Sequence, residues 1–280
     1  MGLSIEVAVL VLLAAALHAT WNTFVKVSGD TLVTSAVIMT TGSLSCAMAL
    51  PFVPLPSAEM WPFLAASVAI HNVYLVLLVL AYRFGDLSQV YPIARGSSPL
   101  VVASFSGLVL GEELGPVQFA GAGLVAVGIA SLAFGGARDV DRRGVPYALA
   151  CGISIGTFVL VDAVGLRRSG AVLSFILWLT ALEFVPIALV TIARRRGRLV
   201  ARIREAGLRA PIGGVLAAGA YAIILWAYAQ GSVAPVAALR ETSVVMAALI
   251  GSLRLGEPFG ARRVAAAVVV VVGVALLNQA

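Results

Sequence analysis

The sequence has little charge: Asp, Glu, Lys and Arg together make up 11% of its 280 residues. Soluble globular domains carry about 25% charged residues, and a mean hydropathy of +1.04 lies far outside that class. The same scarcity excludes a disordered chain, because such chains are rich in charge and poor in apolar residues. The net charge is +6, but the basic residues lie between long apolar runs, which argues against a nucleic-acid-binding protein. The composition predicts a polytopic membrane protein.

Residues and motifs of the common catalytic and metal-binding sites are also scarce. The only two cysteines, Cys46 and Cys151, fall inside apolar runs and are predicted to be packing residues rather than a disulfide or a metal pair. The sequence has no phosphate-binding P-loop and no HExxH motif. We therefore predict no enzymatic activity, no metal site and no cofactor.

Apolar runs, by contrast, fill the chain. A helix that crosses a membrane needs about 20 mostly apolar residues, so ten such helices fit within this length. Barrel strands would instead alternate polar and apolar residues over about 10 positions, and that pattern is absent from the sequence. We predict an all-α membrane protein with ten spans at 4–26, 31–53, 60–82, 88–110, 116–135, 145–164, 172–192, 212–230, 234–254 and 262–278.

The two halves of the sequence resemble each other. Thr23-Phe24-Val25 recurs as Thr157-Phe158-Val159, and Gly111-Glu112 recurs as Gly256-Glu257. Further equivalent pairs, at a nearly constant offset and in the same order, are Ala81-Tyr82 with Ala227-Tyr228, Gly85 with Gly231, Arg95 with Arg240, Ser98 with Ser243, Gly128 with Gly273, and Leu132 with Leu277. The pattern predicts an internal duplication, with repeats at 1–136 and 145–280 and a basic linker at 137–144.

An odd number of spans in each repeat has a topological consequence. Chain continuity inserts the second repeat upside down relative to the first. Inverted repeats are a recurring design of secondary transporters, whose substrate site lies near the midplane between the copies. A plain helical bundle that has lost transport is the alternative interpretation.

These features resemble the drug/metabolite transporter superfamily in its form with two EamA-type halves. The resemblance rests on the five-plus-five repeat, the Gly-Glu pairs, a glycine-rich fifth span and three further segments. Those segments are His18-Ala-Thr-Trp-Asn22, Tyr91-Pro-Ile-Ala-Arg-Gly96 and Ala238-Leu-Arg-Glu-Thr-Ser243. The resemblance implies a bacterial carrier of small metabolites, often outward, with amino acid exporters and phosphonate-associated permeases among its relatives.

Apart from basic residues at the span ends, only two lie within the predicted spans, Arg95 and Arg240, at equivalent places in the two repeats. Each lies about 10 Å into its helix at 1.5 Å per residue. One interpretation is that their guanidinium groups bind a carboxylate or phosphate of the substrate, because their fork geometry suits bidentate anion binding. The alternative is a structural ion pair with Glu241, Asp162 or Glu183.

Two of these acids have further interpretations. Glu183 falls near the centre of the seventh span, where a carboxylate could take up a proton during a transport cycle. Asp162 is predicted near the end of the sixth span, where solvation at the membrane interface explains a charge. Glu241 directly follows Arg240.

Polar and aromatic residues share faces of three predicted spans and are candidates for a cavity wall. Packing or an interfacial aromatic belt is the alternative interpretation. The cavity candidates, together with the arginines, are His18, Trp21, Asn22, His71, Tyr74, Tyr91, Ser98 and Ser243. Pro92 and Pro99 around Arg95, and Pro235 before Arg240, predict that both arginine-bearing helices are kinked or broken.

Fifteen of the 19 basic residues lie at the odd-numbered loops, seven of them within 194–209. Because positive charge collects on the cytoplasmic side, the count predicts both termini outside the bacterial inner membrane. Taken together, the sequence predicts a secondary transporter that exports a small amino acid or related anionic metabolite, with H⁺ as a candidate coupling ion. An organophosphonate or sugar-phosphate carrier is the rival within transport. A scaffold or lipid-handling subunit is the rival outside it, and either a monomer or a homodimer is compatible.

Overall fold

The computed structural model describes residues 3–84, 87–132, 143–183, 185–195, 197, 199–255 and 261–279. The described residues form thirteen α-helices and no strand. The helices are α1 (Ile5–Lys26), α2 (Thr31–Ala47), α3 (Trp61–Phe84), α4 (Leu87–Leu110), α5 (Pro116–Ser131), α6 (Gly144–Ser169), α7 (Val172–Leu182), α8 (Val185–Arg195), α9 (Leu199–Ala206), α10 (Arg209–Gln230), α11 (Val233–Arg240), α12 (Thr242–Leu255) and α13 (Ala261–Leu277).

Seven stretches of the described chain are helical, long and apolar enough to cross a membrane, and two shorter apolar helices are Pro116–Ser131 and Val264–Leu277. The helices begin where polar side chains can cap them. Ser4 Oγ accepts from the Val7 amide at 3.3 Å, and Asp30 Oδ1 accepts from the Val33 amide at 3.2 Å. Such caps satisfy backbone donors that have no partner inside the helix. The all-helical membrane fold is confirmed, while the count of ten spans stays a prediction.

Two predicted spans are interrupted, and a glutamate lies at each interruption. The seventh span divides into α7 and α8, with Glu183 directly after Leu182. The ninth divides into α11 and α12 at Glu241, whose carbonyl accepts from the Val244 amide at 3.0 Å. The helix that carries Pro235 and Arg240 is thus broken, as predicted, whereas α4, which carries Arg95, runs unbroken through Pro92 and Pro99.

The largest contacts between helices cross from one half of the chain to the other. Helix α1 packs on α10 and α12, α3 and α4 pack on α6, and α5 packs on α13. Helix α1 of the first repeat corresponds to α6 of the second, and α3 corresponds to α10. The contact of α1 with α10 is therefore the counterpart of the contact of α6 with α3. The core therefore belongs to both halves at once.

The direction of the second repeat is visible where α5 meets α13. A Cβ built at Gly121 would lie 2.7 Å from the Gly273 carbonyl oxygen, and one at Gly128 would lie 3.2 Å from the Ala266 carbonyl oxygen. As α5 advances, its contacts move backwards along α13, so these two helices are antiparallel. They are the last helices of the two repeats, and their opposite directions fit an inverted duplication.

Candidate functional site

Most of the predicted site residues lie in the core between the two halves. Arg95 of α4 reaches Glu241, which lies just after Arg240: Nε is 2.8 Å from Oε2. Both side chains are buried, and the N–H is not aligned for a hydrogen bond, so the contact is an ion pair. Arg95 Nη2 also donates to Ser243 Oγ at 3.5 Å. The Arg95 charge is thus neutralised within the protein.

Arg240 has no such partner. Within the part of the chain that the structure describes, no carboxylate lies within 4.0 Å of its guanidinium, although the side chain is only 9% exposed. Its Cζ lies 5.9 Å from the centre of the Tyr221 ring. The two equivalent arginines therefore differ: Arg95 forms a close ion pair, whereas the acids Asp162, Glu183 and Glu241 act on Arg240 from more than 4.0 Å away.

Arg240 lines a small cavity in the core. The other lining residues are Ala14, His18, Ala220, Tyr221 and Ile224. Its volume of about 20 Å³ gives room for about one water molecule. A larger substrate can reach Arg240 only after helices around the cavity separate.

Tyr221 connects this cavity to a buried acid. Its hydroxyl donates to Asp162 Oδ2 at 2.8 Å. Asp162 is completely buried on α6, which continues to Ser169, seven residues further on. The prediction that Asp162 lies at the end of the span, solvated by the interface, is therefore wrong, because the helix is longer than its apolar core indicates.

His71 and Glu183 form a second pair beside Asp162. His71 Nε2 lies 3.4 Å from Glu183 Oε1, without the alignment of a hydrogen bond. On the other side of the ring, Nδ1 lies 3.0 Å from the carbonyl oxygen of Ser67. The imidazole stacks on Phe158, with ring centres 3.7 Å apart.

The remaining candidates surround these groups. His18 and Trp21 make an edge-to-face contact at 5.0 Å, while the Asn22 amide donates back to the His18 carbonyl at 2.8 Å. Tyr74 makes an edge-to-face contact with Phe158 at 6.3 Å. The Tyr91 ring centre lies 5.9 Å from Arg95 Cζ, and Ser98 is buried one turn beyond Arg95.

Several buried polar atoms around the cavity have no hydrogen-bond partner among the described residues. They are Trp21 Nε1, Asp162 Oδ1, Glu183 Oε1 and Tyr228 Oη. Tyr228 is completely buried and lies within interaction range of Arg240. Buried polar groups are normally satisfied, so this concentration of unsatisfied donors and acceptors is unusual for a protein core.

Tyr221, Tyr228 and Phe158 belong to this cluster but are absent from the predicted site. The spacing of seven residues between the two tyrosines, which places them on one face of α10, was the available signal. No group of three or more His, Cys, Asp or Glu that could hold a metal ion occurs among the described residues.

A separate cluster lies where α4, α6 and α11 meet at one end of the molecule. Glu112 contacts Arg167 through Oε1 and accepts from the Val233 amide through Oε2 at 2.9 Å. Arg167 also donates to the Gly231 carbonyl at 3.0 Å. Gly111, with φ of +70°, ends α4 and turns Glu112 towards this cluster. We call Glu112, Arg167, Gly231 and Val233 the end latch.

Comparisons with known proteins agree with this architecture. No curated protein matches the chain. A solved structure described as "Crystal structure of protein" has the same fold, with a TM-score of 0.71 and 17% sequence identity over 97% of this chain and 94% of that one. The model of the EamA-like transporter family matches residues 6–134 and again residues 142–279. The chain is a multi-pass membrane protein that belongs to the EamA-like transporter family, with one copy of the family module in each half.

Proposed function

We propose that the protein is a secondary transporter that works by alternating access and moves a small amino acid or related anionic metabolite across the bacterial inner membrane. The observation that carries the proposal is Arg240, a buried cation that lines the core cavity and has no described carboxylate within 4.0 Å. A charge at such depth costs about 2.5–3.5 kcal/mol on insertion scales. A substrate carboxylate would offset that cost through charge-assisted hydrogen bonds.

The inverted halves supply the mechanism. Because the cavity lies between helices of both repeats, rocking one half against the other would open it to one side of the membrane and then to the other. The small volume of the cavity fits a closed conformation between these two states. Export, rather than uptake, is proposed from the resemblance to amino acid exporters alone.

A proton is proposed as the coupling ion, held between His71 and Glu183. We assign the hydrogen to the imidazole Nδ1, which can donate it to the Ser67 carbonyl at 3.0 Å, while the Ser67 hydroxyl lies 3.3 Å from the same nitrogen. In the neutral ring Nε2 then presents a lone pair to Glu183 Oε1 at 3.4 Å. Two facing acceptors repel each other, and one proton shared by the two groups removes the repulsion.

The rival within transport is an organophosphonate or sugar-phosphate carrier, which would use both arginines on a dianion. The ion pair of Arg95 with Glu241 argues against it, because it leaves only one of the two arginines without a carboxylate within 4.0 Å among the described residues. The rival outside transport is a scaffold or lipid-handling subunit. It predicts neither ligand-dependent stabilisation nor flux.

The test is the thermal midpoint of the purified protein with amino acids, phosphonates, sugar phosphates and organic cations. A ligand at 100 times its Kd stabilises the folded state by about 2.7 kcal/mol. We expect a shift from amino acids in the wild type and in Arg202→Ala, an exposed arginine that serves as a matched control. The Arg240→Ala variant should lose this shift of the thermal midpoint. A shift from phosphates alone would favour the rival carrier, and no shift together with no flux in proteoliposomes would favour the scaffold.

A further inference from the structure

Asp162 has no role in the proposed binding of a substrate carboxylate. It is completely buried, and its Oδ1 has no hydrogen-bond partner among the described residues. The Tyr221 hydroxyl donates to its Oδ2, and the Ser67 hydroxyl lies within interaction range of the same carboxylate. An ionised carboxylate accepts up to about four hydrogen bonds, so Asp162 has capacity for another donor.

Tyr221 places Asp162 and Arg240 on either side of one ring. The guanidinium lies over the ring, with Cζ 5.9 Å from its centre, while the hydroxyl at the end of the ring donates to Asp162 at 2.8 Å. The two opposite charges thus lie close together without forming an ion pair of 4.0 Å or less.

The charges of the core favour a ligand of no net charge. Arg95 and Glu241 neutralise each other, and the proton proposed above neutralises Glu183. One cation, Arg240, and one anion, Asp162, are then left. A zwitterion adds a complementary charge of each sign and leaves the sum unchanged, whereas a phosphate dianion would add uncompensated negative charge at a depth where charge is costly.

We infer that Asp162 is the binding site for a primary ammonium group, so that Arg240 and Asp162 together select substrates that carry both a carboxylate and an ammonium. This inference rests on the proposed transport function and names its substrate class. Tyr221 is a positioning residue, since its hydroxyl holds Asp162 in place. Its ring, with that of Phe158 one turn before Asp162 on α6, supplies aromatic surface that attracts a cation.

Other titratable or charged groups interact with Asp162 or Glu183 from the helices packed around them, and each affects how a cation is held there. They are Cys46 of α2, His71 of α3, Tyr221 and Tyr228 of α10, and Arg240 of α11. Among them only Arg240 carries a fixed charge, and its positive sign opposes a second cation unless the ligand also brings a carboxylate.

Matched sets of ligands test the inference on the wild-type protein itself. One set is L-alanine, propionate and L-alaninamide, and the other is L-phenylalanine, 3-phenylpropionate and L-phenylalaninamide. The first member of each set has both charged groups, the second lacks the ammonium, and the third lacks the carboxylate. A charge-assisted hydrogen bond contributes about 1.5–3 kcal/mol, so in at least one set the amino acid should bind about tenfold or more tightly than both analogues.

Variants then assign each preference to its residue. Asp162→Asn should reduce the preference for the amino acid over the deaminated acid to less than about threefold, while Arg240→Gln should do the same for the preference over the amide. Binding can be followed by isothermal titration in nanodiscs.

The outcomes separate the two proposals. Equal binding of an amino acid and its deaminated acid by the wild type overturns the inference and leaves a carboxylate transporter standing. A preference that persists in a folded Asp162→Asn protein overturns the role of Asp162. If no member of either set binds or is transported by the wild type, the inference falls together with the amino acid transporter.

Discussion

At the scale of single residues, the core distinguishes two arginines that are equivalent in sequence. Arg95 contacts Glu241 at 2.8 Å, whereas Arg240 faces the cavity beside Tyr221. The sequence could place both side chains at the same depth, but their partners come from other helices. The choice between a ligand clamp and an ion pair therefore depends on packing that local patterns do not encode.

Replacing each arginine by lysine separates the two roles. Lysine keeps the charge but loses the planar fork that binds a carboxylate through two hydrogen bonds. We expect Arg240→Lys to lower the transport rate about tenfold or more while the thermal midpoint stays near that of the wild type. Arg95→Lys should instead lower the midpoint and retain most of the transport. Both rates can be measured by counterflow in proteoliposomes, and normal transport by Arg240→Lys would contradict its role.

Glu183 provides a second prediction at this scale. If it shares a proton with His71, transport should respond to an imposed pH gradient. Glu183→Gln keeps the size of the side chain but cannot release a proton. We expect the variant to lose the acceleration by a pH gradient while exchange of substrate at equal pH continues. A fully active variant, together with wild-type transport that ignores pH, would remove the proton from the mechanism.

At the scale of helices, the sequence is most informative about where apolar segments lie and least informative about where they stop. The predicted sixth span ended at residue 164, but α6 continues to Ser169 and so carries Asp162 into the core. The end was misplaced because Arg167 and Arg168 interrupt the apolar run. Arg167 is nevertheless helical, since its side chain binds Glu112 and the Gly231 carbonyl.

The end latch holds three helix ends together and should restrict access to Arg240 from that end. Glu112→Gln removes the charge that binds Arg167 and weakens the cap on the first residue of α11. The side chains of the ion pair are 33% and 12% exposed, which places its contribution near 1 kcal/mol. The probe is a cysteine introduced at Ala237 in a background without Cys46 and Cys151. We expect this cysteine to react several-fold faster with a membrane-impermeant thiol reagent when Glu112→Gln is also present than when Glu112 is retained. Arg202→Gln, which breaks a surface pair elsewhere, is the control.

The contact of α5 with α13 gives a prediction about stability. An added Cβ at Gly121 would lie 2.7 Å from the Gly273 carbonyl oxygen, so Gly121→Ala forces the helices apart and should cost about 1–3 kcal/mol. Gly123 on the same helix has no atom within 4 Å of such a Cβ. Gly123→Ala should therefore leave the thermal midpoint unchanged or raise it slightly. Equal midpoints for the two variants would show that this close approach is absent in the membrane.

At the scale of the whole molecule, the sequence predicts the internal duplication correctly, because repeated residues survive at a constant offset. Two parts of that prediction lie outside the described residues: Gly256-Glu257, the counterpart of Gly111-Glu112, and residues 137–142 of the linker predicted at 137–144. What the repeats cannot predict is their divergence, such as the continuous α4 against the interrupted α11 and α12.

Orientation in the membrane is the prediction at this scale. The basic segment between residues 194 and 209 should face the cytoplasm, which places both termini on the opposite side. An alkaline phosphatase fused after residue 280 should then be active, since that enzyme folds in an oxidising compartment. A green fluorescent protein at the same place should be dark. An inactive phosphatase fusion together with a fluorescent green fluorescent protein fusion would show that both termini face the cytoplasm.

The pairing of helices across the two halves bears on how such a chain could have arisen. Since α1 packs on α10, α3 on α6 and α5 on α13, one half alone would leave its largest apolar faces uncovered. An ancestral gene encoding a single half would have needed two copies of its product, inserted in opposite orientations, to cover them. Fusion of a duplicated gene would fix one copy in each orientation, after which Arg95 and Arg240 would be free to acquire different partners.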